Sequence, residues 1–546
     1  MGVLVAPVEA RRVRLRVRVA RSIGERQRVI ALVSVATILA VIVAGYHPFA
    51  EDGGIYAAGV KYLLDARLYP HDAAFAMEPS RWSLFAPMVA ELVPLTHLTL
   101  PWMLLALHAL SVWAALFAAW MLAARLSLRS EARTGAVVLL ACWLGLPVAG
   151  TALYVMDPYL TARSLATPAM ILAIVGALDA TQWHNSERRR RGWALWAAGL
   201  AVCAAMHPLT AMYAAFATAL LASIRARSRA VRVWGVAGLC AAAAIAAACA
   251  QGFAPAESAA YVRAALSRSY WFLGEWRWYE VVGLFAPLGI LGGVAWLGAR
   301  RGRGPVFRSH LPASQPGASG LLEARDALAR MAVTIGVTVC VLALLLASEA
   351  STTHLIARMQ PLRVFQIVYV VMIVMLGGWL GDRVLRRSAW RWGAAVVLLG
   401  GAMFGAAQAE YPGSNHLEMP WMTPRSAWAQ AFEWIRANTL PDALFAVDAD
   451  YIHAAGEDAQ NFRAIAERSA LPDRSKDGGE ASIAPDLADM WARGVAAQAG
   501  LNAIGDAERV SRLRPLGVKW VVLDAGAKTT FACPYTNVSV RICRLK

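Results

Sequence analysis

Apolar runs of about 15 to 25 residues recur along the first 410 residues of this 546-residue chain, and no other feature constrains its fold as strongly. A helix that crosses about 30 Å of hydrocarbon needs roughly 20 apolar residues. The composition agrees, because 58% of the residues are hydrophobic and only 16% are charged, whereas soluble domains carry about 25% charged residues. The sequence therefore predicts a polytopic α-helical membrane protein.

We predict about eleven transmembrane helices and a small C-terminal α/β domain. A basic leader (1–28) precedes the membrane domain (29–410), and a soluble tail (411–546) follows it. The apolar but proline-interrupted segment 81–99 is interpreted as a helix along the exterior interface, with Trp82 as an anchor. The predicted spans are 29–47, 100–124, 134–151, 159–178, 192–206, 208–224, 233–251, 280–298, 331–348, 364–380 and 393–409.

Basic residues are concentrated in alternate loops, which is the positive-inside pattern. With a cytoplasmic N-terminus, the cytoplasmic loops carry 29 Lys and Arg residues, more than three times as many as the exterior loops before the tail. The tail has 15 basic and 16 acidic residues. The net charge of +17 therefore belongs to the inner membrane face, and we do not expect nucleic-acid binding. We expect a bacterial inner (plasma) membrane location with a periplasmic or otherwise exterior tail; the run "RRRR" (188–191) needs only this topological explanation.

The tail has the pattern of a small α/β domain. The stretches "SAWAQAFEWIRANTL" and "DLADMWARGVAAQAG" predict helices, and "DALFAVDA", "GVKWVVLD" and "NVSVRICRL" predict strands. The polar "FRAIAERSALPDRSKDGGEAS" predicts a loop with a helical start, which is either a solvated surface or a lid over a cleft in the membrane domain. Cys533 and Cys543 flank a polar turn and could form a disulfide in an oxidising compartment. The stretch "RRGRGPVFRSHLPASQPGASG" (300–320) predicts a flexible cytoplasmic linker.

Ionisable residues gather near the exterior ends of the predicted spans, where they would form a polar cleft. Glu51 and Asp52 follow the first span, and Asp52 could serve as a general base toward an acceptor hydroxyl. The loop chemistry alone favours solvated carboxylates or a cap for the next helix. Arginines at the same level suit bidentate recognition of a phosphate. The candidates for phosphate binding are Arg163, Arg358 and Arg363.

Five further residues are candidates for lining this cleft: Asp157, His207, Glu275, Arg277 and His354. Each also has a structural interpretation. Asp157 can cap the following span, and a lone histidine at a turn, such as His207, is commonly structural. The aromatic stretch "SYWFLGEWRWYE" is typical of an interfacial belt, although aromatic faces beside charges also suit carbohydrate or isoprenoid contacts. His354 would share a helix face with Arg358 if this stretch is helical.

The layout resembles the GT-C superfamily of membrane glycosyltransferases, which use polyprenyl-phosphate-linked sugars. The resemblance rests on the acidic first exterior loop "AEDGGIYAAGVKYLLDARLYP", the interfacial helix after it, the multi-span body and the exterior α/β tail. An acidic residue of that loop is catalytic in the family, which implies this role for Asp52 or for Glu51. The stretches "DPYLTARSLATP" and "HPLTA" are also similar to bacterial membrane proteins related to the superfamily. The tail has no WWDYG-type motif, so we do not expect a protein-glycosylating oligosaccharyltransferase.

The sequence thus indicates transfer of a sugar from a polyprenyl-phosphate donor to an exterior glycan, lipid or protein acceptor. Asp52 would take the acceptor proton, and the arginines would hold the leaving phosphate. A divalent metal (Mg or Mn) would suit this chemistry, but no spacing specifies its ligands. A transporter or flippase of a lipid-linked or anionic solute and a noncatalytic envelope protein are the alternatives. Walker, GxGxxG, HExxH, GxSxG and paired CxxC motifs do not occur, which argues against a nucleotide-driven pump, a zincin or a serine hydrolase.

Overall fold

The computed structural model describes residues 6–182, 185–301 and 318–545, and the side chains of residues 6–23 are not described. Most of the predicted linker 300–320 lies outside the described residues. The first 410 residues form a helical bundle, and the remaining residues form a small α/β unit. The helices of the bundle are α1 (Ala6–Ala44), α2 (Glu51–Leu64), α3 (Ala73–Met77), α4 (Phe85–Thr96), α5 (Leu100–Ala123), α6 (Ser130–Cys142), α7 (Ala162–Ala180), α8 (Ser186–Met206), α9 (Pro208–Ile224), α10 (Arg229–Gly252), α11 (Ala259–Leu266), α12 (Trp278–Arg301), α13 (Ala318–Leu346), α14 (Leu355–Arg358), α15 (Phe365–Leu380) and α16 (Ala389–Glu410).

Eight helices of the described residues are long and apolar enough to cross a membrane. The polytopic helical architecture therefore agrees with the prediction, whereas the predicted number of about eleven spans is not confirmed. The predicted span 134–151 is helical only to Cys142, because the chain then turns and Pro147 pairs with Tyr154 in an isolated bridge. At 13 residues, α6 is too short to cross the hydrocarbon alone.

Helix α7 lies at the centre of the bundle. Its sequence is apolar or small on every side, and 89% of its candidate span is buried by neighbouring helices. A helix that is apolar all round is buried rather than amphipathic. By contrast, α10 buries none of its candidate span against the protein, and α16 buries 6%. The bundle therefore has α7 as its core helix and α10 and α16 at its periphery.

The tail is a five-stranded mixed sheet covered by helices. Strand β1 pairs in parallel with β2 and β3, and β5 pairs antiparallel with β3 and β4, which gives the order β2-β1-β3-β5-β4. Cys533 and Cys543 form a disulfide, as predicted. The elements of the tail are α17 (Ala427–Asn438), β1 (Leu444–Ala446), α18 (Phe462–Ala466), β2 (Ser469–Ala470), α19 (Lys476–Ile483), α20 (Ala488–Gln498), α21 (Asp506–Leu513), β3 (Trp520–Asp524), β4 (Tyr535–Thr536) and β5 (Val540–Arg544).

The predicted helices and strands of the tail are present, but its polar segment is more ordered than a loop. That segment contains α18, the edge strand β2 and most of α19. Several of its charged side chains are buried, including Arg463, Arg468 and Asp473. The interpretation as a solvated surface is therefore wrong for these residues. Arg463 is bonded to Asp72 of the bundle, whereas Arg468 and Asp473 are bonded within the tail.

A segment of the tail just before α18 is hydrogen-bonded to the start of α2. The backbone N–H of Glu51 donates to Ala459 O at 2.8 Å, and the N–H of Asn461 donates to Phe49 O at 2.9 Å. The approach is so close that a Cβ at Gly54 would lie 2.1 Å from Asn461 Cβ. A glycine at position 54 is therefore required by the contact between α2 and the tail.

Ion pairs also stabilise the contact between α2 and the tail. Lys61 Nζ lies 2.6 Å from Glu467 Oε1. Arg463, which is buried, pairs with Asp72 of the membrane domain and lies 2.6 Å from Asp477 of the tail. Because breaking a buried pair leaves an uncompensated charge, these contacts keep the tail in one position over α2.

We predict that Gly54→Ala destabilises the protein by about 1–3 kcal/mol, the usual cost of an extra methyl group in a closely packed contact. The control is Gly238→Ala in α10, where an added Cβ meets nothing within 4 Å. Melting temperatures of the purified full-length protein in detergent would compare the two variants. Equal melting temperatures for both variants would contradict the close contact between α2 and the tail.

Candidate functional site

Glu51 and Asp52 form the first turn of α2, at the point where the tail crosses it. Glu51 has a φ of +52°, in the left-handed region, which costs a non-glycine residue about 1 kcal/mol or more. The hydrogen bond from its N–H to the tail holds this conformation. A Cβ at Gly53 would lie 2.8 Å from Tyr159 Cβ, so the turn also packs closely against the segment before α7. Both carboxylates are thus held at a junction of three segments.

Arg163, in the first turn of the central helix, joins two carboxylates. Its Nη2 donates to Asp52 Oδ2 at 2.9 Å and to Asp157 Oδ2 at 3.0 Å. The start of the helix is fixed because the N–H of Thr161 donates to the hydroxyl of Ser164 at 3.0 Å. Burial raises the pKa of Asp157, and the guanidinium of Arg163 opposes this rise. Asp157 therefore depends on Arg163 for its charged form.

A lysine of the tail completes the cluster from the opposite side. Lys476, at the start of α19, contacts Glu51, and its Nζ lies 3.4 Å from Asp52 Oδ1. Its backbone is held in turn, because its N–H donates to Asp473 Oδ1 at 2.6 Å and Arg268 donates to the carbonyl of Ser475. Asp52 therefore has one cation from the membrane domain and one from the tail.

Two buried glutamates lie beside this cluster, Glu78 from the membrane domain and Glu480 from α19. They form a carboxyl pair across the contact, and burial together with the neighbouring acid raises the pKa of Glu480. Asp52 is also within electrostatic range of Glu480. The hydroxyl of Tyr56 lies within electrostatic range of Arg163, Asp52 and both glutamates. These charged groups therefore lie near one another, between α2 and α19.

His207 and Arg363 approach the cluster from the bundle. His207 lies within electrostatic range of Arg163, Arg363 and Asp52, and burial lowers its pKa to about 3. Its Nδ1 lies 2.9 Å from the hydroxyl of Thr210, so it also caps α9. The guanidinium of Arg363 lies 5.4 Å from the centre of the Tyr270 ring. Its Nε is buried without a hydrogen-bond partner among the described residues.

The other predicted residues lie in different surroundings. Arg358 donates to Ile483 O of the tail at 3.4 Å. His354 is paired with Glu257, with Nδ1 2.6 Å from Oε2, and the stretch containing Arg358 is a helix of only four residues. Glu275 and Arg277 are exposed. The backbone N–H of Arg277 donates to the carboxylate of Glu280 at 2.7 Å. The contacts described for these four residues are made with groups outside the surroundings of Asp52, and their assignment to one cleft with Asp52 stays a prediction.

The cluster as a whole consists of Glu51, Asp52, Glu78, Asp157, Arg163, His207, Arg363, Lys476 and Glu480, and we refer to it as the Asp52 cluster. Sequence reasoning missed Lys476, Glu78 and Glu480. The only signal for the tail residues was the polarity of the segment "RSKDGGEAS", for which a lid was one of two interpretations.

The described residues do not fit a divalent metal in this arrangement. They contain no group of three or more His, Cys, Asp or Glu side chains that could hold an ion. Glu51 is paired with Lys476, and Asp52 is paired with Lys476 and Arg163, so cations already neutralise the carboxylates that would ligate a metal. The chemistry considered below therefore uses side chains alone.

Comparison with known proteins finds no matching family model and no matching curated protein. The structural neighbours are archaeal oligosaccharyltransferases. A crystal structure of the Archaeoglobus fulgidus enzyme tethered to an acceptor peptide with the NVT sequon has a TM-score of 0.49 at 11% identity, covering 91% of this chain and 69% of that one. AglB from the same organism, in complex with an inhibitory peptide and a dolichol-phosphate, has a TM-score of 0.40 at 11% identity, covering 92% and 70%. The enzyme in complex with Zn and sulfate has a TM-score of 0.39 at 12% identity, covering 90% and 68%.

These neighbours have a GT-C fold, the superfamily to which the sequence showed a resemblance. At TM-scores below 0.5 the likeness does not establish the chemistry of this chain.

We predict that the Glu78–Glu480 pair makes stability fall as the pH rises. Burial raises both pKa values, so above the ordinary pKa of a glutamate the folded protein binds more protons than the unfolded chain, and its stability decreases with pH. Glu480→Gln should flatten the loss of melting temperature between pH 5 and pH 8, by an amount equivalent to about 1 kcal/mol for each pKa unit of the original shift.

Asp489→Asn is the matched control, since Asp489 is exposed on the neighbouring helix α20. It should leave the pH profile unchanged. A Glu480→Gln profile as steep as that of the wild type would show that this pair does not titrate as expected.

Proposed function

We propose that this protein is a membrane glycosyltransferase that moves a sugar from a polyprenyl-phosphate donor to a hydroxyl of an exterior glycan, lipid or protein. The observation that carries the proposal is the position of Asp52, at the end of a membrane bundle between Arg163 and Lys476. This arrangement combines a carboxylate that can accept a proton with cations that can hold a phosphate.

Asp52 and Glu51 are the more exposed carboxylates of the cluster, at 30% and 29%, whereas the side chain of Asp157 is 6% exposed. We assign the base to Asp52 because Lys476 contacts Glu51 more closely than Asp52. In the proposed reaction, Asp52 accepts the proton of the acceptor hydroxyl, and the hydroxyl oxygen bonds to the anomeric carbon. The bond between that carbon and the phosphate oxygen breaks, and the electron pair leaves with the lipid phosphate. No oxidant or other reactant is required.

Arg163, Lys476 and Arg363 supply positive charge for the leaving phosphate. Hydrogen-bond donors aimed at developing negative charge stabilise a transition state strongly in a site that excludes water. The Nε of Arg363 has no hydrogen-bond partner in the described part of the chain, and it provides a donor for the phosphate. Lys476 takes the role that the sequence suggested for Arg358, because Arg358 is bonded to a tail carbonyl instead.

The ion pairs also suggest how donor binding would prepare the base. Arg163 and Lys476 are bonded to the carboxylates of Asp52 and Glu51. A bound phosphate would compete for these cations and release Asp52 toward the acceptor. Deprotonation of the acceptor would then be coupled to the presence of the donor, which limits wasteful proton transfer.

The proposal includes the predicted location, a bacterial inner membrane with the tail on the exterior side. The apolar helices support a membrane location. The Cys533–Cys543 disulfide supports an oxidising compartment for the tail.

We predict that Asp52→Asn lowers transfer by about 100-fold or more, the usual contribution of a general base. Release of polyprenyl phosphate from radiolabelled polyprenyl-phosphate hexoses and pentoses would be measured with the full-length protein in liposomes. Glu275→Gln is the control, since Glu275 is exposed and outside the Asp52 cluster. Undiminished turnover by Asp52→Asn would exclude Asp52 as the base, and movement of intact donor across the bilayer without release would favour a flippase.

We predict that a cysteine in the tail reacts from outside the cell. Val538→Cys, in a background with Cys249→Ser, puts a thiol at a residue that is 90% exposed. Membrane-impermeant maleimide should label it in intact spheroplasts. Leu128→Cys, in a predicted cytoplasmic loop and 53% exposed, should react only after permeabilisation. The reverse pattern would contradict the orientation.

A further inference from the structure

A second polar site lies at the end of α7 opposite the Asp52 cluster. A cavity of about 530 Å³ opens where α5 and α7 end and α8 begins. Because α7 has 19 residues and rises about 1.5 Å per residue, the two sites are separated by roughly 28 Å. Ligand pockets typically measure about 300–1,000 Å³, so this cavity is large enough for an organic ligand.

The cavity has an excess of positive charge. Asp179, which is buried at the end of α7, is bonded by two arginines, with 2.7 Å to Arg125 Nη2 and 2.8 Å to Arg188 Nε. Arg191 also lines the cavity, and its side chain is 75% exposed and paired only with Glu187 on the same helix. Three arginines thus face two carboxylates, and one positive charge is left for an anion.

The cavity is apolar on its membrane side. Met121 lies one turn before Arg125 in α5, and Leu195 lies one turn after Arg191 in α8. Both positions are deeper in the bundle than the arginines, because α5 ends and α8 begins at this face. A site with a cationic rim and an apolar interior matches a phospholipid, whereas a free phosphate ion would not use the apolar part.

The four consecutive arginines 188–191 are not equivalent in the structure. Arg188 and Arg191 line the cavity, three residues apart on one face of α8, while Arg189 and Arg190 do not line it. Helix geometry alone places residues three apart on one face. Arg188 and Arg191 are therefore the two arginines of the run that can contact a ligand in the cavity.

We propose that this cavity binds the phosphate headgroup of an anionic membrane lipid at the face opposite the Asp52 cluster. Arg188 and Arg191 donate to the lipid phosphate, and Met121 and Leu195 contact the upper part of an acyl chain. Basic pockets between transmembrane helices are suited to anionic headgroups, for which each arginine contributes on the order of 1 kcal/mol.

Native mass spectrometry of the full-length protein in detergent would test this site. The probes are phosphatidylglycerol and phosphatidylcholine with the same acyl chains. We expect retention of phosphatidylglycerol in preference to phosphatidylcholine. The double variant Arg188→Gln/Arg191→Gln should weaken phosphatidylglycerol binding by about 30-fold, from the loss of two arginine contacts.

The matched control is Arg189→Gln/Arg190→Gln, which removes the same charge from the same turns of the same helix. It should change the affinity by less than about threefold, which separates a site from general attraction to the surface. Arg191→Gln alone should weaken binding by about fivefold. This single variant removes only a surface pair with Glu187, so the fold is not at risk.

Equal losses in the two double variants would overturn the proposal, since binding would then follow charge and not position. Equal retention of phosphatidylcholine would also overturn it. Displacement of phosphatidylglycerol from the wild type by millimolar inorganic phosphate would assign the cavity to a free anion instead of a lipid.

Discussion

The arrangement around α2 and the start of α7 depends on one buried guanidinium. Arg163 enters the protein interior with 8% of its side chain exposed, and it is charged at any physiological pH. Removing one partner from a buried pair costs about 3–5 kcal/mol, because the remaining charge is uncompensated. Asp157, six residues earlier, supplies one counter-charge locally. Asp52 supplies the second, and this fixes the start of α2 against the central helix.

The position of the tail follows from the same constraint. Two carboxylates held next to each other at the start of α2 carry more negative charge than Arg163 can balance. Lys476 provides the additional cation, and the backbone pairing of residues 459–461 with the chain around Glu51 brings α19 close enough. The small side chains of Gly53 and Gly54 allow that approach. The residue types, the backbone geometry and the electrostatics therefore all favour the same packing of the tail on the start of α2.

The sequence predicted those structural features whose pattern lies within a single helix or strand. The apolar runs predicted the membrane helices, and alternating patterns predicted β1, β3 and β5 of the tail, because both patterns reflect burial along a single element. It also identified Asp52, Asp157 and Arg163, since acids and arginines at span ends are costly there. The partnership of Lys476 with Asp52 spans 424 positions and has no local signal. His354 was assigned to the cleft for a related reason, since its partner Glu257 lies 97 residues away. Helix ends were least predictable, as the early end of α6 shows.

The separation between Asp52 and Lys476 has a consequence for how the protein is made. The ribosome completes the bundle helices well before it reaches residue 476. Before the tail is made, the ion pairs with Lys476 and the hydrogen bond from Glu51 to Ala459 cannot form. The nascent bundle is therefore an unfinished form of the protein whose acidic turn is uncovered. Maturation is completed only when the last quarter of the chain has been synthesised and has folded back onto a loop that was among the first parts to emerge.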